Sequence, residues 1–201
     1  VPVLTSNYQS EPDVQQQTMQ ILVRQCRGVG ASGTQNMRSE KVVEALLRYL
    51  PSQNEVAARN VTRTLQEIGT PATPFLLGLL DQQSELVRTR VVEVFKTVHD
   101  ERALPRLLYL VHDTSPSVQQ QMADVLRFYA PESIPGLLDL VLNDTSSAVA
   151  ERAAQILIII GNSVVEPLLE VLLDIMPERT RLLVLVLEKI HDTRSIPALN
   201  A

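Results

Sequence analysis

Three glycines near the N-terminus, Gly28, Gly30 and Gly33, form a literal G-x-G-x-x-G, a pattern that in many proteins holds the phosphates of a dinucleotide. That chemistry needs a β-strand before the glycines, a helix opening directly from them, and an acidic residue about twenty positions later. Here the preceding segment has helical periodicity, and no stretch shows strand-like alternation of useful length. We therefore interpret the glycines as part of an inserted loop and predict no cofactor.

Three His-Asp dipeptides, beginning at His99, His112 and His191, could each supply a general base. His99 and His191 fall at the end of a predicted helix, where a histidine interacts well with the helix dipole and can cap carbonyl groups. His112 falls at the end of a different predicted helix. Because the three pairs are distributed along the chain rather than gathered, we predict structural roles for them and no catalytic residue.

Cys26 is the single cysteine, which excludes an intramolecular disulfide and is typical of a reducing compartment such as the cytoplasm. No histidine or lysine lies near it in sequence, which favours a packed, inert thiol. No Cys/His cluster has the spacing of metal ligands, and we predict no metal site.

The composition favours helix–helix packing. Hydrophobic residues make up 45% of the 201 residues, but aromatic residues only 3%, and tryptophan is absent. The formal net charge of −5 offers no positive field to attract nucleic acid or anionic lipid. The richest apolar runs, 156–160 and 182–187, are far shorter than the roughly 18–20 residues that span a bilayer. We predict no nucleic-acid binding and no membrane insertion.

Two kinds of position recur at intervals of about thirty residues, which indicates internal repeats. The first is apolar and is held by Leu22, Leu65, Phe95, Leu126, Leu157 and Leu187. The second lies near the start of a Leu-rich segment and is held by Glu44, Pro74, Pro105, Pro135, Pro167 and Pro197. One longer interval, between Leu22 and Leu65, places an insertion of about a dozen residues between Cys26 and Arg38.

Each repeat predicts two helices. The first carries proline near its start, where a missing N–H costs nothing. The second buries residues at offsets 0, 4, 8 and 11, as in Val87, Val91, Phe95 and Val98, because these lie on one helix face. Candidate caps and turn residues are Ser84, Ser115 and Ser146 at helix starts, Gly69 and Gly161 at helix ends, and Asp81, Asp113, Asp144 and Asp174 between helices.

The unit A-x-P-x-L-L-x-L-V-x-D…S-x-V-x-x-x-x-A-x-x-L, carried by residues 103–129 and 133–161, resembles the HEAT-like repeat, in particular its short bacterial form, also found in phycobilin lyases. The resemblance covers residues 39–201, and 12–27 as half a unit. It implies an all-α fold, a right-handed α-α superhelix (solenoid) of about five to six helix pairs. The Val-Arg pair usual in such repeats is intact only at Val87 and Arg88, which predicts a patchy Arg–Asp ladder.

The predicted organisation is an irregular lead-in at 1–11 followed by one repeat array at 12–201. The array comprises an incomplete first unit at 12–27, an inserted Gly-rich loop at 28–38, repeats at 39–69, 70–99, 100–130, 131–161 and 162–191, and a truncated unit at 192–201. The chain opens without methionine and stops within a unit, from which we expect a segment of a larger protein.

In proteins that this chain resembles, the second helices line a concave face where partners bind. The ridge on that side falls at offsets 2, 6 and 9 of each second helix, and we call these positions the second-helix face. The candidate partner-binding residues are Arg59, Arg63, Gln66, Glu93, Lys96, Asp124, Arg127, Gln155 and Ile158. The same ridge also includes Thr89, Gln120, Glu151, Arg181, Leu185 and Glu188.

The leading functional hypothesis is a non-catalytic scaffold or adaptor that binds a protein or peptide on this face. Two alternatives follow from the resemblance: a subunit like the phycobilin lyases, and a nucleic-acid-binding protein like the DNA glycosylases built from similar repeats. The helices of the C-terminal third are apolar nearly all round. Their residues Leu183 and Val186 would lack a neighbouring repeat, so self-association through this end is a further expectation.

Overall fold

The computed structural model describes residues 33–82, 84–172 and 180–191. Within these ranges the chain forms helices and turns and contains no β-strand, so the predicted all-α solenoid class is confirmed. The α-helices are α1 (Gly33–Leu47), α2 (Glu55–Ile68), α3 (Thr73–Leu77), α4 (Glu85–Phe95), α5 (Leu104–Tyr109), α6 (Pro116–Phe128), α7 (Ile134–Asn143), α8 (Ser147–Ile160), α9 (Val165–Leu172) and α10 (Thr180–Ile190). Short 3-10 turns occur at Thr70–Ala72, Glu101–Ala103, Leu110–His112 and Asn162–Val164.

The helices belong to two compact units, one extending to Asp100 and the other beginning at Glu101. The first contains α1–α4, and the second contains α5–α10. In both units odd-numbered helices are the first helices of the predicted repeats, and even-numbered helices are the second. Consecutive second helices pack together, α2 against α4 in the first unit and α8 against α6 and α10 in the second.

The core is built from the predicted stripe of the second helices. In α4 and the turn after it, Val87, Val91, Phe95 and Val98 are at most 5% exposed. The same offsets are buried on α2 and α6 as well. On α8 the last of them, Ile160, is only half-buried. A stripe of this width cannot be covered within one helix pair, so within each unit a pair is stabilised by its neighbour.

The first helices repeat with the same register. Residues 41–50 and 71–80 have an identical succession of buried, half-buried and exposed positions, which places Glu44 and Pro74 at equivalent exposed sites. Glu166, not Pro167, holds the exposed site in the repeat at 162–191. The proline there is displaced by one residue, which accounts for the 32-residue interval that separates it from Pro135.

The predicted loop at 28–38 is wrong over residues 33–38, which form the first turns of α1. The other first helices carry proline as their second or third residue. Proline has no backbone N–H to donate and its ring clashes with the carbonyl four residues earlier, so these helices cannot begin several residues further back. In α1 this position is held by Glu44, which has a backbone N–H and so does not limit the helix. Each residue added at the start of a formed helix contributes one more hydrogen bond, and α1 therefore begins earlier than the loop prediction allowed. Residues 28–32 lie outside the described part of the chain.

The predicted caps are in place. Ser84, Ser115 and Ser146 are all N-cap residues, but only the Ser115 hydroxyl accepts a hydrogen bond, from the Val118 N–H. Asp113 and Asp144 accept hydrogen bonds from the backbone N–H groups two residues later, at 2.8 Å, as turn residues should. Asp174 lies outside the described residues.

The second helices α2, α8 and α10 end at the same position of the repeat. Gly69 and Gly161 follow α2 and α8 with φ of 77° and 82°, and their N–H groups donate to the carbonyl four residues earlier. His191 follows α10 with φ of 56° and donates in the same way to Leu187. His191 therefore lies at a helix end, as predicted, and ends α10 in the same way as the two glycines end α2 and α8.

No single helix among the described residues is long and apolar enough to cross a membrane. Two helical segments reach the length and apolar composition of a membrane span only when they are taken together, Ser147–Ile160 and Asn162–Leu172. The angle between them is 111°.

Candidate functional site

In the first unit, the second-helix face begins with two exposed arginines on α2. The Arg59 side chain is exposed and makes no hydrogen bond or ion pair with the residues described. Arg63 forms an ion pair with Glu67, one turn further on, at 3.3 Å. The Arg63 side chain is 76% exposed, so water and salt screen this pair and it contributes little stability. Both cations are therefore available to a ligand.

Gln66 has a structural contact that the sequence did not predict. Its side-chain amide donates to the backbone carbonyl of Glu93 on α4 at 3.0 Å, joining the second helices of two consecutive repeats. Gln66, Glu93 and Lys96 are all half-buried. These three residues are therefore more involved in packing between helices than Arg59 and Arg63 are.

In the second unit, Asp124 and Arg127 are exposed on α6. Beyond them, α8 and α10 border an open groove of about 1060 Å³, lined by predicted ridge residues and their neighbours. Gln155 and Ile158 contribute from α8, and Leu185 contributes from α10. The predicted offsets thus bring residues of two repeats together around one depression.

The groove combines an aliphatic middle with charged ends. Its charged lining residues are Glu151, Arg181, Glu188 and Lys189. All four are exposed, and none of their side chains forms an ion pair or hydrogen bond with another described residue. Leu185 is 41% exposed and Ile158 is half-buried, so the groove presents aliphatic area to solvent. By contrast, Leu183 and Val186 are fully buried.

Two arginines that hold consecutive repeats together were missed by the sequence analysis. Arg90 on α4 is buried and donates to the carbonyls of Leu50 and, at 2.8 Å, Ser52, and it contacts Glu55 at 2.7 Å. Arg152 on α8 donates to the Asp113 carbonyl at 3.2 Å. Each arginine thus reaches the turn between the two helices of the preceding repeat.

Both arginines stand three residues after the first buried valine of their helix, which is the signal that could have identified them. The predicted Val-Arg pair does something else: Arg88 donates to the Gln82 carbonyl of its own repeat at 2.7 Å. Arginines at a different position from the predicted Val-Arg pair thus link consecutive repeats, in α4 and α8.

His112 pairs with Asp144 rather than with its sequence neighbour Asp113. Its Nε2 lies 2.7 Å from Asp144 Oδ2, and its Nδ1 lies 3.1 Å from the Tyr109 carbonyl oxygen. Both oxygens are acceptors, so both bonds form together only when both ring nitrogens carry hydrogen. The ring also stacks on Tyr109, with centroids 5.5 Å apart. The pair links the inter-helix turns of consecutive repeats.

The backbone N–H of Ser146 donates to the Asp144 carboxylate and holds the pKa of that carboxyl below its usual value. The hydrogen bond and charge of His112 lower this pKa further, and so does the charge of Arg152. Of the other candidates, His99 is exposed, and its neighbour Asp100 is buried. Cys26, Gly28, Gly30 and Asp192 lie outside the described residues.

The sequence matches the family described as HEAT repeats over residues 73–158 and, in an overlapping match, over residues 104–188. Together the matches span more than half of the chain. No curated protein matches the sequence. Among solved structures, an engineered protein is similar over 93% of this chain and 94% of its own, with 20% identity and a TM-score of 0.40. A designed armadillo repeat protein in complex with the peptide (KR)4 is similar over 94% of this chain and 99% of its own, with 16% identity and a TM-score of 0.39.

Proposed function

Since the chain belongs to the family of HEAT-repeat proteins, we propose that it is a non-catalytic scaffold that binds a partner polypeptide on its second-helix face. The observation that carries this proposal is the groove between α8 and α10. Ridge positions from two repeats line it, and its four charged side chains make no ion pair with described residues. A docking surface offers its partner charged groups and aliphatic area that make no contacts within the protein itself.

The chemistry of the remaining side chains supports binding rather than catalysis. The His112–Asp144 pair is engaged with Tyr109 and with the turn at Ser146, and it stabilises the junction of two repeats. His191 terminates α10. A general base must reach a substrate together with other reacting groups, and these two histidines are instead committed to separate structural positions.

The proposal is tested by selecting binders from a displayed library of random peptides and titrating them against variants of the full chain. Reversing the charges of Arg59, Arg63 and Lys96 examines the second-helix face of the first unit. Arg181→Glu examines that of the second. We expect at least one of these changes to weaken binding about tenfold, equivalent to about 1.4 kcal/mol.

The control is Glu170→Lys, a charge reversal at an exposed residue of the first helix α9, which should leave affinity unchanged. Affinity that is equal in the wild type and in every second-helix variant would remove the assignment of this face. Duplex DNA serves as a second probe, and salt-dependent binding to it would favour the nucleic-acid alternative.

A further inference from the structure

The side chains that line the groove between α8 and α10 indicate which class of ligand it can bind. It contains two acidic and two basic side chains, so its lining has no net charge. A polyanion such as nucleic acid or an anionic membrane surface requires an excess of positive charge. Its lining residues include no aromatic side chain on which a base or an aromatic ligand could stack.

The charges stand at both ends of an aliphatic middle. Arg181 is near the start of α10, and Glu188 and Lys189 are near its end, with Leu185 between them. Seven residues of helix separate Arg181 from Glu188, a rise of about 10 Å. An extended peptide advances about 3.3 Å per residue and covers this distance with about three residues.

We infer that this groove binds an extended polypeptide segment of another protein in which an aliphatic side chain is flanked by both acidic and basic side chains. The inference rests on the proposed function and narrows it to one site and one partner class. The aliphatic side chain covers Leu185 and Ile158, which are only partly buried. The flanking charges pair with the four charged side chains that make no ion pair with described residues. A segment of one charge sign meets repulsion within the groove, since the lining carries both signs.

The decisive variants are Leu185→Gln and Ile159→Gln. Both residues are 41% exposed aliphatic side chains on second helices of the same unit, but only Leu185 lines the groove. With peptides selected from the displayed library, we expect Leu185→Gln to weaken binding about tenfold and Ile159→Gln to leave it unchanged. Circular dichroism of both variants checks that helix content is preserved.

Peptide variants test the charge requirement independently of the protein's stability. Replacing the central aliphatic residue by serine should abolish binding. Changing every flanking charge to lysine, or every one to glutamate, should weaken it about tenfold. In the protein, the double change Arg181→Gln and Glu188→Gln should remove most of the difference between mixed-charge and single-charge peptides.

Several outcomes would overturn the inference. Selected peptides with flanks of a single charge sign, or without an aliphatic residue, contradict the proposed occupant. Peptides that are insensitive to Leu185→Gln but sensitive to reversal of Arg59 and Arg63 place the site elsewhere and leave the scaffold function intact. A library that yields no binder counts against both proposals. A dimer of the wild type that Leu185→Gln dissociates in light scattering identifies a second copy as the occupant.

Discussion

At the scale of single residues, backbone geometry decides how each second helix ends. Gly69 has φ of 77° and ψ of −142°, a combination that is almost restricted to glycine. The space around it is open, because a Cβ there would meet no atom within 4 Å. Any cost of substitution at Gly69 therefore comes from the backbone and not from a clash.

We predict that Gly69→Ala lowers the free energy of unfolding by about 2 kcal/mol. Gly78→Ala is the matched control, because Gly78 has a helical φ of −66° and a Cβ there meets only the Phe75 carbonyl oxygen at 3.8 Å. That change should stabilise by about 0.5 kcal/mol through the unfolded chain. Urea denaturation of both variants measures the difference, and equal stabilities would show that φ at position 69 is not costly.

A second prediction at this scale concerns pH. The pKa of Asp144 is lowered in the folded state, first by the Ser146 N–H and then by His112. Its stabilising effect is therefore fully present above the unfolded value of about 4 and is lost as the pH falls through the lower folded value. Asp144→Asn keeps an acceptor for the Ser146 N–H but removes the titrating charge.

We expect the free energy of unfolding of Asp144→Asn to fall less steeply than that of the wild type as the pH is lowered from about 5 towards about 3. Denaturant titrations at several pH values provide the measurement. Parallel pH profiles for the two proteins would mean that the carboxylate does not contribute in this way.

At the scale of elements, the second helices α4 and α8 are tied to the preceding repeat by polar contacts of an arginine. The turn between α1 and α2 leaves the carbonyls of Leu50 and Ser52 without helical partners, and Arg90 of α4 satisfies both. Glu55 completes the contact, but its side chain is 64% exposed, so the ion pair contributes less than the carbonyl bonds. The guanidinium, with its fixed fork of donors, suits two neighbouring acceptors.

We predict that Arg90→Met destabilises the protein by about 3 kcal/mol, because it leaves acceptors unpaired in a buried position. Arg88→Met, two residues earlier on α4, removes an exposed bond to Gln82 and should cost less than about 1 kcal/mol. Thermal and urea unfolding of the pair distinguish the two. A similar loss in both variants would show that burial of the Arg90 contacts is unimportant.

At the scale of the whole molecule, one structural unit of about thirty residues is used repeatedly, and its two faces have different roles. The apolar stripe of the second helices is largely buried by packing, while the opposite ridge is exposed at positions such as Arg59, Asp124 and Arg181 and half-buried at Gln66, Glu93 and Lys96. A net charge of −5 spread over such a surface favours solubility and does not select a partner. Under the proposed function, selectivity for a partner arises locally, in the groove between α8 and α10.

The helix pairs and the buried stripe could be predicted from sequence, because both depend on residues three or four positions apart on one helix. The repeat period could be predicted because equivalent residues recur about every thirty positions. The caps at Ser115 and Gly161 are local in the same sense. Where local signals were weak, as before Glu44, the helix start was misplaced. The tertiary structure alone decided which polar side chains are engaged in packing and which are available to a ligand. Gln66 and Arg90 find their acceptors 27 and 40 residues away, on neighbouring repeats, and only packing brings those atoms within hydrogen-bonding distance.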